Sequence, residues 1–366
     1  MKVVVVGAGY AGTIAANRLA RKVPGAEITM VNPRPEFVER VRLHQHIAAS
    51  GAVATPLTRM LGDGIRVHQG TADKIGDGTV TLTDGESLDF DHLFLAVGST
   101  VVPLLGSIPI GTWEGAEQAR EALTRLPDGS RVTVVGGGLT GIETAAEIAG
   151  SRPALSIRLV AQAIAPSLSA GARARVRTAL DRFGVDVVTD TVTEVADGGG
   201  PENGKGVVRL SSGAELDTDL TLWGIAASVP DLAARSGLEV NAEGRALVDE
   251  FLRSVSDPRI FVIGDCAAVP GARLSCATAM PQGAHAADTL ARIVKGRTPE
   301  PYSMSYVGQA VSLGRRDGLL QVSRRDDTVR RLYVSGRAAA LVKEGVCRVV
   351  KYGARTANYA WLPGKK

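Results

Sequence analysis

A chain of 366 residues with 45% hydrophobic but only 4% aromatic content exceeds what one core organises and suits α/β layers better than a β-sandwich, so two or three domains with buried parallel strands are predicted. The net charge of +4, from 42 basic against 38 acidic residues, is too small to indicate a nucleic-acid groove. Cys266, Cys276 and Cys347 form neither a Cys-x-x-Cys pair nor a metal-type cluster, and no apolar run reaches the length of a signal-peptide core or a membrane span. The expectation is therefore free thiols in a reducing, cytoplasmic setting, no metal site, and a soluble or at most membrane-peripheral protein.

In chain order, residues 2–6 predict a buried strand, Ala11 to Arg21 a helix and Glu27 to Asn32 a second strand, together a β-α-β unit. The segment "FVERVRLHQHIAAS" (37–50) that follows packs Arg40, Arg42, His44, Gln45 and His46 together. His46 reads as part of a surface helix of mixed charge; Arg42, His44 and Gln45 read equally well as surface or site residues. "TVTLTDGESLDF" and, later, "VVRLSSGAELD" predict antiparallel hairpins turned at Asp-Gly and Ser-Ser-Gly. The β-α-β pattern recurs at 131–161, with a strand to Val135, a helix from Leu139 to Ala149 and a strand from Ser156 to Ala161. "RIFVIGDCAAV" (259–269) continues no pattern of that second unit and is predicted to return to the first sheet. A helix from Pro281 to Val294 follows, with proline in its favoured first position. Beyond Pro299, two or three strands within 306–334 and a helix over 338–359 form a small C-terminal domain.

The chemistry begins with Gly7-x-Gly9-x-x-Gly12, in which Gly7 makes a tight turn, Gly9 lets a pyrophosphate approach the backbone, and Gly12 lets helix and strand pack closely. Asn32 ends the second strand where an acid usually holds a ribose; its amide oxygen can accept from a hydroxyl without charge assistance. Arg34 lies within reach of an adenosine phosphate or adenine face, or is a solvated loop arginine. Gly136-x-Gly138-x-x-Gly141 repeats the pattern, and two such matches in one chain are far less likely to be accidental than one. Gln162 ends the following strand and decides between NAD and NADP in neither direction. Glu143, placed on the first turn of the second glycine helix, either stabilises the helix dipole or faces a nicotinamide.

Taken together and in order, "GAGYAG", "LAVGST" (95–100), "GGGLTGIE" and "IFVIGDCA" resemble the two-dinucleotide-domain FAD and NAD(P)H flavoprotein reductases over roughly residues 1–298, closest to the type II NADH dehydrogenase and apoptosis-inducing-factor-like branch. The resemblance implies FAD held by Gly7, Gly9, Tyr10, Ala11, Gly12, Asn32, Arg34, Arg42, Gly98, Gly264, Asp265, Ala279 and Met280. It implies NAD(P)H held by Gly136, Gly138, Thr140, Gly141, Gln162 and Ala226, with Glu143, His44 and Gln45 at the reacting centre. It also implies a helix N-terminus at Pro281 aimed at the flavin pyrimidine. Two departures bear on function: Ala277 and Pro281 stand where type II dehydrogenases carry glutamines on the quinone side, and Ala226 stands where a return glycine is typical.

The resulting expectation is an α/β chain with two Rossmann-like dinucleotide-binding domains, the second inserted in the first. The FAD-binding domain comprises 1–110 and 245–298, the NAD(P)H-binding domain 111–244, and a small α+β C-terminal domain 299–366. In the last, Lys343, Arg348, Lys351 and Arg355 are placed on one helical arc and Val342, Val346, Val349, Val350 and Ala357 on the other. Such a helix docks on its own domain or a dimer mate, or lies weakly at an anionic membrane. The expected activity is hydride transfer from NAD(P)H to flavin and onward to a quinone-like or small organic acceptor, with no nucleic-acid partner. The alternatives are a dedicated reductase or oxidase of a specialised metabolite and a nucleotide-responsive flavoprotein acting through partners.

Overall fold

The computed structural model describes residues 1–196, 205–225 and 228–364. Its first sheet is fully parallel, in the order Ile260–Val262, His92–Leu95, Lys2–Val6, Glu27–Asn32 and Arg66–Gln69. Val3 and Val5 are completely buried and Val4 and Val6 nearly so, because helices or loops cover both faces; that is why the strand is an unbroken valine run rather than an alternating one. Helix Tyr10–Lys22 packs beside helix Cys276–Val294 so closely that a Cβ on Gly283 would lie 2.3 Å from the Ala11 carbonyl oxygen.

The second sheet is also five-stranded and parallel: Ile108–Pro109, Leu220–Trp223, Arg131–Val135, Ser156–Val160 and Asp186–Val188. Chain order makes the nesting plain, since His92–Leu95 of the first sheet precedes these strands and Ile260–Val262 follows them. Ile108–Pro109 already belongs to the second sheet, a few residues ahead of the expected boundary at 111. Each parallel sheet carries an antiparallel three-stranded appendage, Ala72–Asp89 on the first and Val192–Thr218 on the second.

The C-terminal part is a three-stranded antiparallel sheet, Gly308–Ser312, Gly318–Ser323 and Val329–Ser335, followed by helix Arg337–Thr356. It fastens the two units together: Val311, Leu313 and Leu319 join the core of the second, while Val350 and Ala354 join the core of the first. Asn17 Nδ2 donates to the Ala354 carbonyl at 2.8 Å and to the Met60 carbonyl at 2.9 Å, fixing the last helix against the first glycine helix.

One expectation is corrected. Pro281 does not start a helix; it sits inside Cys276–Val294, because Ser275, six residues earlier, caps the helix, its Oγ accepting from Thr278 N–H at 3.3 Å. The last helix docks on its own chain with its basic arc divided: Arg348 and Arg355 face solvent, whereas Lys343 and Lys351 do not. Its buried seam is Ala339, Lys343, Cys347, Val350 and Ala354, whereas Leu341 is 73% and Val349 63% exposed, with Val342 and Val346 half exposed beside them. Lys343 and Lys351 turn inward because carboxylates wait there. No helix among the described residues is long and apolar enough to cross a membrane.

Candidate active site

The two glycine turns have the same geometry. Gly7 has φ +102° and Gly136 φ +121°, and a Cβ on Gly12 or Gly141 would lie 1.9 or 2.0 Å from the carbonyl oxygen of Gly7 or Gly136. Only glycine permits either approach. Gly9 and Gly138 are different: each is exposed and has nothing within 4 Å of a Cβ position, so the backbone there is open to an incoming group. Each turn opens a thirteen-residue helix without a side-chain cap or an acid in the first turn, leaving its N–H groups for an anion. Both sites therefore fit the pyrophosphate of a dinucleotide.

Asn32 has two contacts within the protein. Its Oδ1 accepts from Ala8 N–H at 3.0 Å and its Nδ2 donates to the Arg34 carbonyl at 2.7 Å, so the amide braces the first glycine turn. Arg34 pairs with Glu114 of the second unit. Gln162 is exposed just beyond strand Ser156–Val160, and Thr140 is exposed in the first turn of helix Leu139–Ser151; Ala226 lies outside the described residues.

Asp265 is held by two elements. Its Oδ2 accepts from Ser99 Oγ at 2.7 Å and its Oδ1 from Ser275 N–H at 3.1 Å, while Gly264 N–H donates to Gln282 Oε1 at 2.7 Å. Gly98, with φ +72°, ends the neighbouring strand's loop, and Ala279 and Met280 are buried on the adjoining helix turn. Arg40 stands beside this cluster, its guanidinium donating to the Ser99 carbonyl at 3.0 Å and to the Gly111 carbonyl at 2.8 and 3.1 Å. Burial lowers its pKa, with the Asp265 charge opposing. Tyr10 is buried edge-on to Phe37, and its hydroxyl has no protein partner.

The 37–50 segment is not a surface helix. Leu43–Ile47 is buried throughout and packs with the second unit; His46 lies against Trp113, with ring centroids 4.7 Å apart, and pairs with Glu117. Arg42 donates to Glu39 Oε2 at 3.1 Å, Gln45 Oε1 at 3.3 Å and Glu344 Oε2 at 2.7 Å, and Lys351 Nζ reaches Glu39 Oε1 at 2.8 Å. His44 is fully enclosed. Burial, reinforced by the positive charges of Lys343, Arg315 and Arg42, drives its pKa well below the ordinary range, so the ring is neutral with its Nε2 unpartnered.

At the centre is Glu143. It is the fifth residue of its helix, beyond the first turn, so the dipole does not account for it. Its Oε1 takes both Lys343 Nζ and, at 2.8 Å, the backbone N–H of Ser312, while its Oε2 lies 3.7 Å from His44 Nδ1. Burial pulls the Lys343 ammonium down to about 8. Sequence reasoning did not single out Lys343, Ser312 or Arg40 as site residues. For Lys343 a signal was present: a lone lysine within the seam Ala339, Lys343, Cys347, Val350 and Ala354, spaced by four, four, three and four residues. Among the described residues, His68, Asp84 and Glu86 bring ligand-type atoms within 4.8 Å of one another, away from these elements and largely in solvent.

A profile of the pyridine nucleotide-disulphide oxidoreductases matches residues 1–288. Ferroptosis suppressor protein 1 of Taeniopygia guttata is 30% identical over 338 residues, covering 88% of this chain and 89% of that one. An NADH dehydrogenase-like protein of Mycobacterium tuberculosis is 31% identical over 301 residues, 73% of each chain. In fold, the sulfide:quinone oxidoreductase of Aquifex aeolicus superposes with a TM-score of 0.79 over 98% of this chain and 92% of that one, at 18% identity. NDH2 of Plasmodium falciparum in complex with NADH does so with 0.78 over 98% of each, at 14%. With its paired glycine turns and nested parallel sheets, the chain belongs to the pyridine nucleotide-disulphide oxidoreductase family as an NAD(P)H-dependent flavoprotein oxidoreductase, and its cofactors are FAD and NAD(P)H.

Proposed function

We propose that the chain passes reducing equivalents from NAD(P)H, through FAD, to a quinone-like or other small organic acceptor. FAD when bound supplies the chemistry, taking a hydride equivalent from the nicotinamide and releasing electrons to the second substrate. The protein's part is to bind, orient and manage protons. Gly7 to Gly12 with Asp265 would hold FAD, Gly136 to Gly141 would hold the nicotinamide dinucleotide, and Arg42, His44 and Gln45 would line the flavin edge.

The observation that carries this reading is the Glu143–Lys343 pair, a carboxylate from the nucleotide helix and an ammonium from the last helix, both screened from water. Glu143 orients the nicotinamide from one side. Lys343 Nζ, with its pKa lowered to about 8 by burial, is suited to donate a proton to a reduced acceptor near neutral pH. The mycobacterial relatives' description as NADH dehydrogenase-like supports NADH as donor. The outward stripe of Leu341, Val342, Val346 and Val349 supports peripheral contact with a membrane, from which an apolar acceptor would come.

Anaerobic stopped-flow separates the two half-reactions. NADH or NADPH should bleach the flavin, and a panel of quinones, oxygen and small organic acceptors should restore it, with a quinone fastest. Restoration by oxygen alone would refute the acceptor assignment. Sedimentation with phosphatidylglycerol-containing vesicles at low salt tests the stripe, and Val349→Asp should abolish any co-sedimentation.

A further inference from the structure

A cleft of about 540 Å³, within the range of small-ligand sites, lies between the nucleotide-binding unit and the C-terminal sheet, and the proposed reaction makes no use of it. Helix Ala170–Arg182 brings Arg175 and Arg182 to it, the turn after strand Gly308–Ser312 brings Arg315 and Arg316, and Arg337 begins the last helix at its rim. Against these five cations stand two carboxylates, both engaged. Asp317 accepts from Arg175, from Arg182 and from Gly318 N–H; Glu147 takes Ser50 Oγ and lies 3.7 Å from Arg315. Among the described residues neither Arg316 nor Arg337 has a carboxylate partner.

Two further features point to a missing anion. Arg175 pairs with Asp317 through Nη2, but its Nη1 is buried without an acceptor, and a buried donor left unpaired is costly. The last helix starts at Gly336 with no side-chain cap and no acid in its first turn, so the positive end of a twenty-residue helix faces the same space. Guanidinium groups match phosphate oxygens in a planar, two-point fashion, and Phe183 with Leu313 supplies an apolar wall for whatever carries the phosphate.

We propose that this cleft is a further anion site, distinct from the two dinucleotide turns, for a phosphate-bearing small molecule, and that its occupancy is felt at Glu143. The connection is short. Arg315 is three residues from Ser312, whose N–H donates to Glu143 Oε1, and Glu147, beside Arg315, is one helical turn from Glu143. A ligand that moves this turn alters the support of Glu143, and by linkage the state of Glu143 alters the ligand's affinity. The effect on flavin reduction rests on the role proposed for Glu143, whereas binding does not, so the two fail separately.

The test titrates inorganic pyrophosphate into FAD-loaded, NAD-saturated protein by calorimetry, with both dinucleotide sites filled. Saturable binding is expected, falling at least about tenfold in Arg316→Gln/Arg337→Gln, whose positions are exposed and outside the reaction site. Saturating pyrophosphate should also change the rate of flavin reduction by NADH in the wild type and not in the double variant. No saturable binding at millimolar pyrophosphate, or binding that the double variant retains, overturns the site; binding with an unchanged wild-type reduction rate overturns the coupling. Phosphatidylcholine vesicles containing phosphatidylglycerol, offered separately, distinguish the source of the phosphate. Capture that the double variant loses, without pyrophosphate binding, overturns the small-molecule assignment in favour of a lipid headgroup.

Discussion

Replacing Lys343 by methionine removes the ammonium that pairs with Glu143 while keeping the length and apolar packing of the side chain. The Lys343 and Glu143 side chains are 14% and 10% exposed, so solvent cannot take over. Among the described residues the neighbouring cations are otherwise engaged: Arg42 is committed to Glu39 and Glu344, Arg315 lies toward Glu147, and His44 is held neutral by burial. Removing one partner of a buried pair costs about 3–5 kcal/mol. The Ser312 N–H that remains on Glu143 keeps the loss near the lower end. At roughly 2 °C per kcal/mol for a large domain, that is a fall of about 6 °C in the thermal midpoint of the FAD-saturated protein, read by scanning calorimetry. Glu143→Gln in the same background removes the stranded charge while keeping the Ser312 contact, so the double variant should recover most of the loss. A single-variant shift below about 1 °C, or single losses that simply add in the double variant, would refute a coupled buried pair.

Four other outcomes follow from the same geometry. Glu143→Gln should retain FAD yet slow flavin reduction by NADH by about two orders of magnitude in stopped-flow. Because burial sets the Lys343 ammonium at about 8, and the protonated form is the donor, the rate of acceptor reduction should fall as pH rises through about 8; Lys343→Met should remove that limb. Gly12→Ala places a Cβ 1.9 Å from the Gly7 carbonyl oxygen, which must move and open the turn, so the purified variant should lose its flavin absorbance. Asn32→Leu strands the buried Ala8 N–H, at a cost of about 1–3 kcal/mol, and should lower the thermal midpoint of the flavin-free protein as well as weaken FAD retention.

The glycine turns and the strands that lead into them were readable because their signals are local. A glycine that must turn or admit a backbone leaves a mark in three to six consecutive positions, and a strand buried on both faces leaves an unbroken run of valines. The return of Ile260–Val262 was readable for the same reason, as an apolar run ending in Gly-Asp that the second unit had no place for. The start of the later helix was not, because a proline at position 281 carries a stronger local signal than the Ser275 cap that actually begins it.

The sequence by itself determined the two β-α-β units and the two dinucleotide turns, since each depends on residues close in the chain, and it marked the return of the chain to the first sheet by an apolar run ending in Gly-Asp. Tertiary structure alone decided which way the last helix faces. Its apolar and basic residues permit either orientation, and the choice fell to Glu143 and Glu39, 200 and 312 residues away, which draw Lys343 and Lys351 inward and leave Val342, Val346 and Val349 outside. The partners of Asn32, the enclosure of His44 and the gathering of five arginines in one cleft were decided the same way. Charges separated in sequence acquire partners only when the fold removes water from between them.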